Sequence, residues 1–320
     1  MTRWLLLLVL FSPLSWAQWH SDTQAIMGTQ IRVVLWHADA ETGSAALNAV
    51  MAEMHRIDRL YNPWDKNSDL YRINQQATQG PVPISAEMVQ LLDKGLYYGK
   101  LTGGAFDISF ASVGHGYDYR TGKKPSDKTR SNSVIDYRLI DLNRGEKRVY
   151  YRHPSIKVDL GGIAKGYAID RGGQLLREYA VEHASISAGG DTRLLGDRRG
   201  RPWVAGIKNP RGGDNDIAIK LPLQNEALST SGDYERFFID ENGERIHHIL
   251  NPKTGRSANG IASVSVIGPN GFDTDPLSTS VFVMGVERGL QLIDSLVGFE
   301  AIIIDEYGKT HYSKGLGEPN

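Results

Sequence analysis

The chain contains no cysteine, which excludes disulfide bonds, thiolate zinc sites and cysteine nucleophiles. Its core must therefore hold it together without covalent cross-links. Charge of either sign is not in excess: 36 Lys and Arg stand against 37 Asp and Glu, a formal net charge of −1. That balance gives no electrostatic reason for binding nucleic acid or an anionic membrane surface. The apolar run Trp4 to Phe11 falls far short of the roughly 20 residues needed to span a bilayer. The G-x-S-x-G elbow, the P-loop and the G-x-G-x-x-G fingerprint are all absent. There is no clean βαβ alternation, no repeat of fixed short period and no low-complexity linker.

What is present begins with an export pattern. Arg3 supplies a short basic region, the apolar run follows, and Ser15 and Ala17 place small residues before Gln18. This reads as a secretory signal peptide over 1–17, with no cysteine nearby to carry a lipid. The expected mature chain, 18–320, is long enough for one large domain or two intimate ones.

Apolar residues at Leu47, Val50, Met51, Met54, Ile57 and Leu60 recur in steps of three and four, which predicts a helix over 45–60. Ser85 can cap a second helix carrying Met88, Leu91, Leu92 and Leu96, stopped by Gly103-Gly104. The polar stretch 114–133 predicts a surface excursion, either a lid or a plain loop. Hairpins are expected at 137–151, around Asn242-Gly243, and around Gly308. Further strands are expected at 31–36, 184–188, 203–207, 217–223 and 261–267, and buried helices at 277–284 and 290–296. Hairpins mixed with helices argue for an α+β fold.

Four stretches could carry chemistry. Ile156 to Leu160 is β-like, ends on Asp159, and runs through Gly161-Gly162 into a helix start near Lys165. Such a turn suits phosphate, or serves as a tight structural corner. Asp275 and Thr279 lie four apart, so on a helix both oxygens could meet one hard cation such as Mg²⁺; equally, Asp275 could cap the helix. His247 and His248 are adjacent in an expected strand and face opposite sides. A shared two-histidine metal site is therefore disfavoured, and one imidazole is either a general base or bonded to backbone. Ser229-Thr230-Ser231-Gly232-Asp233 is expected to be a hydroxyl-rich turn. Trp64, Phe106 and Tyr117 could stack on a ligand or belong to the core.

Taken in order, Met27-Gly28-Thr29, Gly104-Ala105-Phe106-Asp107, Asp159-Leu160-Gly161-Gly162-Ile163-Ala164-Lys165-Gly166-Tyr167-Ala168, Ala188-Gly189-Gly190-Asp191, Thr230-Ser231-Gly232-Asp233-Tyr234, His248 to Gly255 and Asp275 to Thr279 resemble the ApbE family of flavin transferases, over about 26–312. The resemblance implies a two-lobed α+β fold of mixed or antiparallel sheets with packed helices, and flavin between the lobes. It implies Mg²⁺-dependent transfer of FMN from FAD to a Thr or Ser hydroxyl of a target flavoprotein, with AMP leaving. The site residues it implies are Met27, Trp64, Ala105, Phe106, Asp107, Asp159, Lys165 and Leu250 for FAD. For the metal they are Gly162 through its carbonyl, Asp275 and Thr279, with Ser278 a further candidate. His248 stands at the position of the base.

The implied setting is the periplasm, with targets among the flavin-bearing subunits of membrane electron-transport complexes. An FAD pyrophosphatase and a non-catalytic FAD carrier are the alternatives. Two positions depart from the family pattern. Asn251 replaces an acid, which removes a local acid–base group, and Trp64 replaces a tyrosine, which keeps a stacking face and loses the phenol.

Overall fold

The computed structural model describes residues 18–213 and 216–317; the expected signal peptide lies outside them. The centre is one eight-stranded sheet whose strand order follows the chain. Its strands are β1 (Gln18–Ile26), β2 (Thr29–His37), β3 (His183–Ala188), β4 (Asp191–Leu195), β5 (Ala227–Gly232), β6 (Ile261–Gly268), β7 (Glu300–Asp305) and β8 (Thr310–Tyr312). Every neighbouring pair is antiparallel.

The edge strand β1 was not expected, and its pattern explains why. Within Gln18–Ile26 only His20 and Ile26 are buried, too few apolar positions to mark a strand. The turn Met27-Gly28 pairs Ile26 with Thr29. Both residues have positive φ, 56° and 68°, as a two-residue type I′ hairpin requires. Met27 therefore holds a backbone conformation that side chains other than glycine's disfavour.

Helices cover one face of the sheet. Helix α1 (Ala40–Tyr61) starts earlier than its apolar spacing suggested, because Asp39 caps it by accepting from the Thr42 N–H at 2.7 Å. It packs on β1 and β2 and keeps Val50, Met54 and Ile57 fully buried, each worth roughly 1.5–3 kcal/mol. After it come α2 (Asp69–Gln76), α3 (Ala86–Leu101, capped by Ser85 as expected), and the short α4 (Ala111–Gly114) and α5 (Asp127–Asn132). Helix α6 (Ala164–Glu178) lies on β3 and β4. Helix α7 (Gly271–Met284) lies on β5 and β6, and α8 (Val286–Asp294) on β7. The hairpin Trp203–Lys208/Ile217–Leu223 covers the other face: Trp203 and Leu223 meet Leu194, Leu228 and Ile267, and Ile207 meets Ile302 and Ile304. With both faces covered, β6 is buried at every position.

Three expectations change. The hydroxyl-rich segment 229–232 is not a turn but β5, paired on both sides. Its hydroxyls bond outward from the ladder instead of capping it: Ser229 Oγ meets Thr274 Oγ1 at 2.8 Å. The run Ile156 to Leu160 takes no regular secondary structure and joins no sheet. The excursion 114–133 is mostly exposed yet anchored, since Tyr117 is buried beside Val113, Ile246 and Leu250 and its hydroxyl donates to the Gly255 carbonyl at 2.9 Å.

Candidate functional site

The run 156–160 is held by a side chain. Asn74, on α2, donates to the Val158 carbonyl and accepts from the Val158 N–H, both at 2.8 Å. This amide takes the place of a neighbouring strand. The next N–H, that of Asp159, donates to the Ile108 carbonyl at 2.9 Å. Asp159 is thereby aimed at the glycine turn, where Oδ1 accepts from the Gly161 N–H at 2.7 Å. Its Oδ2 lies 2.9 Å from His115 Nε2. The His115 ring lies 4.4 Å from the indole of Trp64, which is 65% exposed. An open aromatic face thus rests on an imidazole fixed by Asp159. Sequence reasoning singled out Trp64 and Asp159 but missed His115, which carries no spacing signal 44 residues from its carboxylate.

Past the turn, α6 crosses α7 at very close range. A Cβ on Gly166 would stand 2.0 Å from the Gly271 carbonyl oxygen and 2.7 Å from Asp275 Cβ. Only two glycines allow this approach, and it delivers Asp275 to the first turn of α6. There Asp275 Oδ2 accepts from the Gly166 N–H at 3.0 Å. Asp275 and Thr279 are both within α7, as the four-residue spacing required. Asp275 is not the cap; Asn270 is, accepting from the Asp273 N–H.

The two hydroxyls beside Asp275 converge on β5. Ser231 Oγ lies 2.8 Å from Ser278 Oγ and 3.2 Å from Thr279 Oγ1. Gly162 faces the same place: a Cβ there would be 3.6 Å from Thr279 Oγ1 and 3.1 Å from the Phe106 ring. Lys165 reaches into the cluster, its ammonium bonded to Asp191 on β4 and 3.3 and 3.4 Å from the two Asp275 oxygens. Burial pushes the Asp275 carboxyl well above the usual range; Asp191 adds to this, and Lys165 opposes it. Burial presses on the Lys165 ammonium too, but the two carboxylates outweigh it and hold its pKa above the ordinary lysine value.

His247 and His248 part as expected. His247 turns inward, with Nε2 2.8 Å from the Ala258 carbonyl and Nδ1 accepting from the Ile249 N–H. His248 follows the strand Arg245–His247 and is half-buried. Its N–H donates to the Arg236 carbonyl at 3.1 Å. Its Nδ1 is sealed from solvent with no hydrogen-bond partner among the described residues. Burial, then the charges of Arg236, His247 and Lys165, hold its pKa down to about 3. The imidazole is therefore neutral and has a free lone pair. Arg236 also donates to the Gly28 carbonyl at 3.0 Å, which ties the Met27 turn to the strand leading to His248. Leu250 is buried against the excursion.

Asp107 follows Phe106, its carboxylate bonded to protein groups. It is buried, with Oδ1 accepting from the Ser109 N–H and hydroxyl and Oδ2 from the Tyr137 N–H. Its carboxylate shapes the loop that presents half-buried Ala105 and buried Phe106.

The described residues contain no group of three or more His, Asp or Glu side chains spaced to hold a metal. A cation here would instead draw on the Asp275 carboxylate, the Thr279 hydroxyl and the Gly162 carbonyl. Those are hard oxygen donors, and the set fits Mg²⁺, which takes few protein ligands.

Known proteins share this sequence pattern and fold. The ApbE family profile matches residues 27–303. A Treponema pallidum relative named FAD:protein FMN transferase is 29% identical, covering 93% of this chain and 87% of its own length. A Haemophilus influenzae relative of the same name is also 29% identical, covering 80% and 77%. The crystal structure of the ApbE protein from Thermotoga maritima superposes with a TM-score of 0.86 at 31% identity, over 93% of this chain and 98% of that one. The flavin transferase ApbE from Vibrio cholerae shares the fold, with a TM-score of 0.80 at 24% identity over 93% and 98%. The match of profile, relatives and architecture over nearly all the described residues makes this chain a member of the ApbE family.

Proposed function

We propose that the protein is an FAD:protein FMN transferase that moves FMN from FAD to a Ser or Thr hydroxyl of a target flavoprotein. The observation that carries this reading is the convergence of Gly162, Asp275, Thr279, Ser278 and Lys165 in one cluster, with the neutral ring of His248 under its electrostatic influence. In the reaction the acceptor oxygen bonds to the FMN phosphorus, the pyrophosphate P–O bond breaks, and AMP leaves. His248 is neutral and takes the proton from the acceptor hydroxyl. Anionic phosphates beside Arg236 and Lys165 would offset the positive charge that now depresses the imidazole, and so strengthen it as a base.

Asp275, Thr279 and the Gly162 carbonyl would hold Mg²⁺. When bound, it would neutralise the charge that grows on the bridging oxygen. Trp64 offers a flat face for a ring system, steadied by His115 and Asp159. Lys165 adds positive charge beside the phosphates. The export pattern at the N-terminus supports action in the periplasm on flavoprotein subunits of membrane electron-transport complexes.

The test is to incubate residues 18–320 with FAD, Mg²⁺ and a family-type target domain, and weigh the target by mass spectrometry. An FMN adduct on one Ser or Thr, with AMP released, is the expected result. Bound FAD without adduct refutes the transferase. Free FMN and AMP in the absence of target would make the protein an FAD pyrophosphatase instead.

A further inference from the structure

Lys165 occupies an unusual place for a group meant only to greet phosphate. Asp191 and Asp275 are 1% and 2% exposed, so their charges have little help from water. The ammonium lies between them, tightly bonded to Asp191 Oδ2 and loosely to both oxygens of Asp275, at 3.3 and 3.4 Å. Asp275 Oδ2 also has the Gly166 N–H, while Oδ1 has Lys165 as its one hydrogen-bond partner among the described residues. With both carboxyls ionised, as a cation would require, two carboxylates and one ammonium give the cluster a single negative charge. A divalent cation arriving at Asp275 would raise it to a net positive one. Were the lysine neutral in shape and charge, the same cation would bring the cluster to zero.

We propose that Lys165 is a resident cation that competes with the divalent metal for Asp275, and that Asp191 is the positioning residue that draws the ammonium aside. This rests on the reading that Asp275, Thr279 and Gly162 form the cation site. The asymmetry of the contacts supports it: the close bond is to the carboxylate outside the donor set, the long contacts to the one inside. The lysine thereby neutralises the buried acids when no metal is bound, and metal affinity is given up in exchange.

The experiment is calorimetric titration of MgCl₂ alone into FAD-free protein, with parallel thermal melts. Lys165→Met should bind Mg²⁺ roughly tenfold tighter than the wild type, because a like charge within a few ångströms has gone. Without metal it should melt lower, with two buried carboxylates left facing each other, and Mg²⁺ should raise its Tm by more than it raises that of the wild type. Asp191→Asn should weaken Mg²⁺ roughly tenfold, since the ammonium then turns wholly to Asp275. In the Lys165→Met background the same Asp191→Asn change should cost much less, a coupling that a merely additive charge effect would not give. Lys165→Gln, which keeps a hydrogen-bond donor, provides the measurement if Lys165→Met fails to fold. Equal Mg²⁺ affinity in the wild type and both lysine variants overturns the competition while leaving the cation site standing. An equal loss from Asp191→Asn with and without Lys165 overturns the positioning role. No Mg²⁺ uptake by any of the proteins overturns both this inference and the cation site beneath it.

Discussion

Replacing Gly166 with alanine tests whether the close crossing of α6 and α7 builds the site. The same change at Gly173, about two turns along α6, is its control. In an isolated helix both substitutions would stabilise by about 1 kcal/mol. The tertiary surroundings separate them. At Gly166 the new Cβ would lie 2.0 Å from the Gly271 oxygen, 2.6 Å from its carbonyl carbon and 2.7 Å from Asp275 Cβ. The first two are backbone atoms of α7, so no side chain can swing clear. Overpacking of this kind costs typically ~1–3 kcal/mol and more where backbone must shift. Moving α7 also breaks the Gly166 N–H to Asp275 bond, and an under-bonded buried acceptor adds ~1–3 kcal/mol. After the helix-propensity gain is subtracted, Gly166→Ala should lose about 1–5 kcal/mol.

At Gly173 the nearest atoms would be Arg193 Cγ at 3.5 Å and Leu195 Cδ2 at 3.7 Å, ordinary contacts. That variant should gain about 0.5–1 kcal/mol. For a chain of this size 1 kcal/mol corresponds to roughly 2 °C in Tm. The expected melting points are thus about 2–10 °C below the wild type for Gly166→Ala and about 1–2 °C above it for Gly173→Ala. Circular-dichroism melts of the metal-free proteins in one buffer read both. A Gly166→Ala protein melting with or above the wild type would refute the reasoning, as would Gly173→Ala losing several degrees.

Other substitutions probe the remaining links. Asn74→Leu should cost about 2–4 kcal/mol in denaturant unfolding, because it strands the Val158 N–H and carbonyl, and should weaken FAD binding through a loosened Asp159. Asp275→Ala should abolish Mg²⁺-dependent transfer while FAD still quenches on binding; unchanged turnover would remove Asp275 from the cation site. His248→Ala should slow transfer by roughly 10²–10⁴-fold with FAD affinity preserved, and a wild-type rate would point to another base. The two buried histidines should lower stability on acidification. Burial depresses the pKa of both His247 and His248, the latter to about 3, so the unfolded chain takes up protons first. Their contribution is complete above the ordinary histidine pKa of about 6.5 and is lost as the pH falls from there toward 3, at up to about 1.4 kcal/mol per pH unit for each displaced proton. The raised carboxyl of Asp275 acts in the opposite sense over this range, so the ring is read from the difference between wild type and His248→Ala in urea titrations, and equal pH slopes between 6.5 and 4 would contradict its buried, neutral state.

Much of the architecture was legible from local pattern. Helix α1 announced itself through apolar steps of three and four, and α3 through the Ser85 cap, because periodicity and capping are short-range properties. The hairpins at Asn242-Gly243 and Gly308 followed from turn chemistry alone. β1 was not legible, because an edge strand with two buried positions carries almost no alternation. The segment 229–232 misled because serine and threonine usually mark turns, whereas here α7 and β6 supply hydroxyl partners to a central strand.

By itself the sequence determined the family, the α+β class and the set of residues from which a site could be drawn, since ordered motifs survive as strings whatever surrounds them. It also separated the two histidines, because adjacent residues on an extended backbone cannot share a face. Only the tertiary structure decided what those residues do to one another. It placed Asp191 and Asp275, 84 residues apart, on the two sides of one ammonium; it set His115 under Trp64; and it sealed His248 Nδ1 without a partner. Those outcomes depend on distances between segments far apart in the chain, and on burial that turns a modest charge into a strong one. Neither quantity exists until the helices have crossed at Gly166 and Gly271.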